Sequence, residues 1–419
     1  MSYHNLAKAK RSLSGVIGIS LCTLCGILSL VSFARSSSTS IIPDKVAAGQ
    51  MPWSTRAADK ILAIHPHYIN YDTPALAWNY EQGMMLYALW NVWENTKDQK
   101  YFEYVRESVD FYLTSSGAIK TYHPENFRLD DILLGRVVLD LYVRTKEAKY
   151  KTAAATLRNQ LRNQPRTPEG GFWHKEIYPD QMWLDGLYMA EPFYAQYAKV
   201  FGEQDDYTDI TKQFILMAKH GMDPKTSLYY HGWDFAKTQK WANPGTGNSP
   251  TFWGRAMGWY MMGIVDVLDY LPRDNPQRQK LISIFRKLSA ALLKLQDKKT
   301  YMWYQVVDKP GEEGNYLESS SSAMFTYAFA KGAANGYLQG NYHNAAQKGF
   351  DGLIKNSVRV EKDDLPTLLN TCAGAGLGAT PDRDGSYRYY VTVPKVENDF
   401  RGLGPFIMAA LELEKTSGK

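Results

Sequence analysis

Two patterns alternate along the chain. One is an apolar stripe that recurs every three to four residues. The other is a short polar-aromatic stretch rich in Gly and Pro. "EQGMMLYALWNVWENT" puts Met84, Met85, Tyr87, Ala88, Leu89 and Val92 on a helical period. "LDDILLGRVVLDLYVRT" does the same with Leu129, Ile132, Leu133, Val137 and Leu141. "FWGRAMGWYMMGIVDVLDYL", "RQKLISIFRKLSAALLKLQ", "SSSSAMFTYAFAKGAANGYL" and "GLGPFIMAALELEK" repeat it downstream. No strand–helix alternation and no dinucleotide fingerprint accompany them. The pattern therefore predicts an all-α chain of about a dozen helices, at the usual ~11–12 residues each. Paired as hairpins, such helices close into a double ring or stack into a solenoid, and the local period is the same for both. Intervening loops such as "NPGTGNSPTFW" and "TPDRDGSYRYY" are expected to gather at one end of the scaffold, where function usually sits.

The N-terminus stands apart from this pattern. Lys8, Lys10 and Arg11 precede an apolar stretch from Gly15 to Phe33, and Ser32-Phe33-Ala34 fits a small-x-small cleavage site. Positive, apolar, small is the order of a secretory signal, so residues 1–34 are expected to direct export. An uncleaved membrane anchor is the alternative at this length, and membrane contact is expected only in that case. Residues 35–55 read as a Ser-rich tether, and 56–419 as the folded domain. Without residues 1–34, which carry three basic and no acidic residues, 45 basic residues face 43 acidic ones. The chain has no Lys/Arg block of nucleic-acid type. Of three cysteines only Cys372 survives cleavage, so no internal disulfide is expected.

Three stretches carry candidate chemistry. In "GGFWHKEIYPDQMWLDGLYM" (170–189), Asp185 sits in an aromatic run with His174 and Lys175. Pro179-Asp180 reads as a helix start, which places Asp185 on one helical face with Gln181, Met182, Tyr188 and Met189. Apolar neighbours raise a carboxyl pKa and hold a proton ready for donation, so Asp185 reads as a general acid or as a bonded core Asp. In "NFRLDDILLG", Asp130 and Asp131 open a helix, where carboxylates also serve as caps. "YYHGWD" and "NSPTFWGRAMGW" bring His231, Trp233, Trp253, Arg255 and Trp259, flat apolar faces mixed with polar groups as a sugar ring requires. Arg255 suits a carboxylate by its planar fork. His65 and His67 lack a companion ligand motif, so no metal is expected. "LESSSSAMF" reads as a loop into a Ser-capped helix.

Together, "GGFWHK", "QMWLDGLYM", "YYHGWD", "WGRAMGW" and the closing "NDFRGLGPFIMAALE" resemble, in this order, the unsaturated rhamnogalacturonyl hydrolases of glycoside hydrolase family 105. The resemblance spans about residues 78–411. It implies an (α/α)6 barrel of six helical hairpins, and action on lyase-generated oligosaccharides ending in a 4,5-unsaturated uronic acid. It implies Asp185 as acid/base and Asp130 as the second site carboxylate. It places His174, Lys175, Trp183, His231, Trp253, Arg255, Trp259 and, through the looser "WNYEQG", Tyr80 at substrate-contacting positions. The implied reaction protonates C4 of a vinyl ether and adds water at C5, and it implies no cofactor and no protein or nucleic-acid partner. An inverting glycosidase, a polysaccharide lyase and a non-catalytic carbohydrate binder are the competing readings.

Overall fold

In the computed structural model the described residues are 51–67, 69, 77–378 and 382–417. The expected signal, residues 1–34, lies outside them, as does most of the tether. Among the described residues no helix is long and apolar enough to cross a membrane.

The helices run α1 (Trp53–Ile64), α2 (Tyr80–Thr96), α3 (Gln99–Tyr112), α4 (Gly135–Thr145), α5 (Ala148–Asn163), α6 (Leu184–Phe201), α7 (Asp206–His220), α8 (Gly254–Val267), α9 (Arg278–Lys294), α10 (Ser319–Ala334), α11 (Tyr342–Ser357), the short α12 (Tyr387–Thr392) and α13 (Phe400–Ser417). α1 opens at Trp53, inside the stretch expected as tether. Helices α2, α4, α6, α8, α10 and α13 touch in that order and α13 returns to α2, which closes a ring. Each leans on one outer helix: α3, α5, α7, α9 and α11 follow their partners, while α13 is backed by α1. This is the (α/α)6 barrel, and the first and last helices of the fold complete its sixth hairpin.

The two rings differ in composition for a physical reason. An inner helix meets protein on every side, and every residue of α8 is buried. An outer helix buries one stripe, as α9 does with Leu281, Ile282, Phe285, Leu288 and Leu292. The strands are short. β1 (Gln181–Trp183) pairs antiparallel with β2 (Gly232–Asp234) at the start of α6. β3 (Val358–Val360) pairs with β4 (Pro366–Leu368), and β5 (Thr371–Cys372) with β6 (Lys395–Val396).

Three local expectations are corrected. Asp180 is not a helix cap. It holds φ +58° in a turn, and Gln181 and Met182 belong to β1, so Asp185 shares no helical face with them. Asp130 and Asp131 lie in a 3-10 turn, Leu129–Ile132, ahead of α4 rather than inside it. The cap of α10 is Glu318, whose carboxylate accepts from the backbone N–H groups of Ser320 and Ser321, not a serine.

Candidate active site

The site is built around the N-terminal ends of the six inner helices, and its carboxylates stand at or just ahead of them. Tyr80 and Glu81 open α2, Asp130 and Asp131 precede α4, and Asp185 lies in the first turn of α6. Arg255 opens α8, Glu318 caps α10, and Asp399 and Arg401 flank the start of α13. Helix N-termini favour negative charge, which suits these carboxylates and an anionic ligand alike.

Asp185 enters the mouth because β1 ends at Trp183 and the helix begins at once. Its side chain remains 14% exposed, whereas His231 behind it is fully buried. His231 Nε2 lies 2.9 Å from Asp185 Oδ2, without the alignment of a linear hydrogen bond. The other ring nitrogen, Nδ1, is 2.6 Å from the Tyr390 hydroxyl. Burial by itself would raise the Asp185 carboxyl. The His231 charge, with smaller help from His174 and Arg255, holds it below the ordinary carboxylate range instead. The expected apolar wall is present, yet the acid is not neutral in the free protein, because a histidine faces it.

Asp130 is gripped more tightly. Lys175 Nζ is 2.5 Å from its Oδ2, and His174 Nε2 is 3.5 Å from its Oδ1. Burial pushes this carboxyl up, but Lys175, His174 and Arg128 outweigh it and bring it down to about 2. Its neighbour behaves oppositely. Asp131, also buried, has Arg128 Nε 3.6 Å from its Oδ1, and burial lifts it to about 7, with the Asp130 charge adding to the rise. His174 is pushed down to about 4 by burial, so its ring is neutral near pH 7. Gly186 makes room for that ring, since a Cβ there would meet His174 Nδ1 at 3.0 Å.

The aromatic residues divide by task. Trp183 stacks with His174 at 4.5 Å and with Tyr178 at 4.7 Å, forming one wall of the mouth. Trp253 lies 4.7 Å from the His231 ring and stacks on Tyr390 at 5.3 Å, so it supports the pair rather than offering an open face. Trp259 is displaced from its expected role. It packs on Tyr188 at 5.0 Å, is buried, and belongs to the core of the barrel. Arg255 is also reassigned, because its Nη1 and Nη2 donate to the carbonyls of Cys372 and Ala373. Its guanidinium pins a loop to the mouth. Tyr80 is half-buried, with Arg401 Nη1 3.4 Å from its hydroxyl, and burial raises its pKa well above the usual value.

Several participants were not named as site residues from the sequence. Tyr390 comes from "GSYRYY", Gln305 donates to the Tyr390 carbonyl, and Arg401 binds Asp399 beside Tyr80. Arg401 falls in the closing "NDFRGLG", which carried the only hint. Cys372 is buried and free. Among the described residues no group of three or more His, Cys, Asp or Glu side chains could hold a metal ion.

Residues 53–417 match the family model of Glycosyl Hydrolase Family 88. The unsaturated rhamnogalacturonyl hydrolase YesR of Bacillus subtilis is 29% identical over 299 residues, 70% of this chain and 81% of that one. A solved glycoside hydrolase from family 105 of C. acetobutylicum is 43% identical with a TM-score of 0.84, covering 87% of this chain and all of the other. The unsaturated glucuronyl hydrolase of Bacillus sp. GL1 shares the fold at 14% identity and TM-score 0.64, over 87% of this chain and 96% of that one. With its barrel, its order of motifs and these relatives, the chain belongs to the family 88/105 glycoside hydrolases and is an unsaturated uronyl hydrolase.

Proposed function

We propose that the enzyme removes a 4,5-unsaturated uronic acid from the non-reducing end of lyase-generated, rhamnogalacturonan-type oligosaccharides by hydrating the double bond. C4=C5 with the ring oxygen on C5 is a vinyl ether. Asp185, protonated in the complex, gives its proton to C4 and leaves an oxocarbenium ion at C5. The Asp185 carboxylate then takes a proton from water as the water oxygen bonds to C5. The hemiketal opens to a C5 ketone and the aglycone departs from C1 as its alcohol, so one water is consumed and Asp185 ends protonated again. In the free protein Asp185 is held below the ordinary carboxylate range. Entry of an anionic uronate and loss of water push it up and favour its protonation in the complex.

One observation carries this reading: of the two candidate catalytic carboxylates, Asp185 faces the His231 imidazole while Asp130 is clamped by Lys175. A carboxylate held at about 2 is a weak base, which argues against Asp130 activating water as an inverting glycosidase requires. Asp130 instead supplies fixed negative charge beside the developing cation. The test uses sulfur in place of the glycosidic oxygen. The vinyl ether is untouched by that exchange, so the thioglycoside should lose its ultraviolet absorbance at a rate comparable to the oxygen substrate, and a saturated uronide should be inert. Resistance of the thioglycoside together with cleavage of the saturated sugar would overturn the hydration route.

Residues 1–34 motivate a second proposal, that the chain is exported and meets these oligosaccharides outside the cytoplasm. The order of Lys8, Lys10 and Arg11, the apolar stretch and Ala34 supports it. N-terminal sequencing of the protein recovered from its native host tests it, and a first residue other than position 35 or a near neighbour counts against cleavage.

A further inference from the structure

In the proposed reaction C4 meets Asp185, and the cation shared by C5 and the ring oxygen lies beside Asp130. C1 is the next atom beyond that oxygen, so the leaving part of the substrate emerges past Asp130. There the rim holds a hollow of about 400 Å³, whose lining includes Trp78, Asn79, Thr121, Asn126, Arg128 and Asp131. That size is within the usual range for small-molecule sites. Thr121 and Asn126 are exposed, so the hollow opens to solvent.

Its walls are tied without a ligand. Asn79 caps α2 by accepting from Gln82 N, and Thr121 Oγ1 accepts from Trp78 N at 3.0 Å. Trp78 Nε1 donates to the Asp131 carbonyl at 2.7 Å. Gln160 and Gln164 donate to the carbonyls of Arg128 and Phe127, which holds the backbone under the arginine. The Asn79 amide nitrogen and the Thr121 hydroxyl hydrogen remain as donors for a sugar.

Arg128 sets the charge of this hollow. Arg255, Arg401 and Arg383 each hold protein acceptors: the carbonyls of Cys372 and Ala373, the Asp399 carboxylate, and the Gly378 carbonyl with the Tyr178 hydroxyl. Arg128 does not. Its Nη2 is 4.0 Å from Asp130 Oδ2 and its Nε 3.6 Å from Asp131 Oδ1, both beyond hydrogen-bond length. Of its three nitrogens only Nε is buried without a partner, and the side chain as a whole is 42% exposed, so the outer edge of the fork can meet a ligand.

The neighbouring carboxylates leave that charge standing. Lys175 sits on Asp130 at 2.5 Å. Asp131, whose charged surroundings are Arg128, Asp130, Lys175 and Glu81, is raised to about 7 and is half protonated near neutral pH. Glu81 is raised by burial too, with Arg401 3.8 Å away. Arg128 and Lys175 together therefore outweigh Asp130 and a half-ionised Asp131. A planar fork with free donors fits an anion that offers two oxygens.

We propose that Arg128 and this hollow form a subsite for the leaving oligosaccharide, which reads an anionic oxygen group on it: the carboxylate of a uronate residue or a sulfate ester. The inference deepens the proposed function and rests on it, since Asp185 and Asp130 give the sugar its direction.

Three unsaturated substrates test it by loss of ultraviolet absorbance. They are a uronyl-rhamnose disaccharide with a neutral aglycone, the same disaccharide extended by galacturonate, and the same disaccharide with a sulfate on its rhamnose. The full-length wild type should show a lower KM for at least one acidic substrate than for the neutral one. In Arg128→Gln the ratio of kcat/KM for that substrate over the neutral one should fall roughly tenfold or more, mainly through KM, as charge-assisted hydrogen bonds are lost. Arg128→Lys should recover part of it, since the charge returns without the fork. Asp131→Asn is the second variant, and it serves also if Arg128→Gln does not fold. It removes a repelling charge at pH 8, where the ratio should rise about threefold to fivefold, and should match the wild type at pH 5. A preference confined to the extended substrate assigns the carboxylate, and one confined to the sulfated substrate assigns the sulfate ester. Equal losses on all three substrates in Arg128→Gln would make Arg128 a support for Asp130 and overturn the inference. No acid preference in the wild type, or an unmoved ratio in Asp131→Asn at pH 8, would overturn it as well. If none of the three loses absorbance, the proposed function falls and the inference with it; turnover without an acid-dependent difference strikes the inference alone.

Discussion

Two clusters of buried charge sit inside the barrel, and they are assembled by opposite rules. Deep in the ring, Asp266 of α8 accepts from Tyr327 at 2.6 Å and Lys331 at 2.7 Å through Oδ1, and from Arg136 at 2.8 Å through Oδ2. The rest of the Arg136 guanidinium lies 3.6 Å over the Tyr87 ring. Both oxygens of the carboxylate are satisfied, and Lys331 also meets Asp269 Oδ2 at 2.6 Å, while Nε and Nη2 of Arg136 make no hydrogen bond and rest on aromatic surface. At the mouth, by contrast, Asp131 Oδ1, Asp185 Oδ2, His174 Nδ1 and His231 Nε2 are buried without a hydrogen bond. A carboxylate paired on both oxygens fixes a scaffold. Carboxylates and imidazoles that keep an open atom at the mouth retain capacity for a substrate. On α8 the two clusters lie about three helical turns apart, with Arg255 at its start and Asp266 near its end.

The largest expected effect is at the mouth. Asp185→Asn keeps shape but cannot carry a proton, so turnover should fall by about 10²–10⁴-fold or more with the thermal midpoint nearly unchanged. Single-turnover kinetics with an unsaturated disaccharide measures it, and near-normal turnover would place the acid elsewhere. Deep in the ring the signs reverse. Asp266→Ala strands Arg136 and leaves Lys331 with Asp269 alone, which should destabilise the fold by roughly 3–5 kcal/mol in denaturant unfolding, with folded molecules still active. Equal stability in wild type and variant would erase the contrast.

Asp131 sharpens it through pH. Its carboxyl is raised to about 7, so between the unfolded value near 4 and pH 7 the unfolded chain ionises first. That charge costs stability progressively as pH rises through this window. Asp131→Asn should therefore match the wild type near pH 4 and exceed it by on the order of 2–4 kcal/mol at pH 8. Unfolding curves at the two pH values decide it. The smallest expected effect is at Tyr390→Phe, which removes the hydroxyl beside His231 Nδ1. About 1 kcal/mol, or roughly fivefold in kcat, should be lost with KM little changed and a shifted pH profile. In a His231→Gln background the same substitution should do almost nothing, since the two act through one contact.

Much of the barrel was legible because inner helices such as α8 and α10 keep a helical period of apolar residues and are buried almost all round. The motifs around Asp185 and Asp130 were legible because they are contiguous. What stayed hidden depended on chain segments far apart. Tyr390 meets His231 across 159 positions, and no local pattern announces that contact. Arg255 looked like a carboxylate reader because its residue type fits. That two carbonyls from Cys372 and Ala373 occupy it depends on a loop 117 residues away. Trp259 was misplaced for a similar reason: a helix that is buried on every side gives no sign of which turn faces the opening. The state of Asp185 turned on a single neighbour, since apolar surroundings and a nearby imidazole push its pKa in opposite directions.

The sixth hairpin bears on how such a chain comes into being. α1 is among the first described residues and α13 the last, and Ser54 Oγ reaches Glu414 Oε2 at 2.5 Å across 360 positions. Until α13 is synthesised, α2 and α10 each have one apolar flank facing water where the ring is open. Arg401, a member of the mouth, arrives on that same helix. A growing chain therefore has neither a sealed core nor a complete active site before α13 emerges, and exposed partial rings are the species most prone to associate wrongly. Closure and catalytic competence arrive in one step, which keeps incomplete copies of the enzyme from acting on sugar.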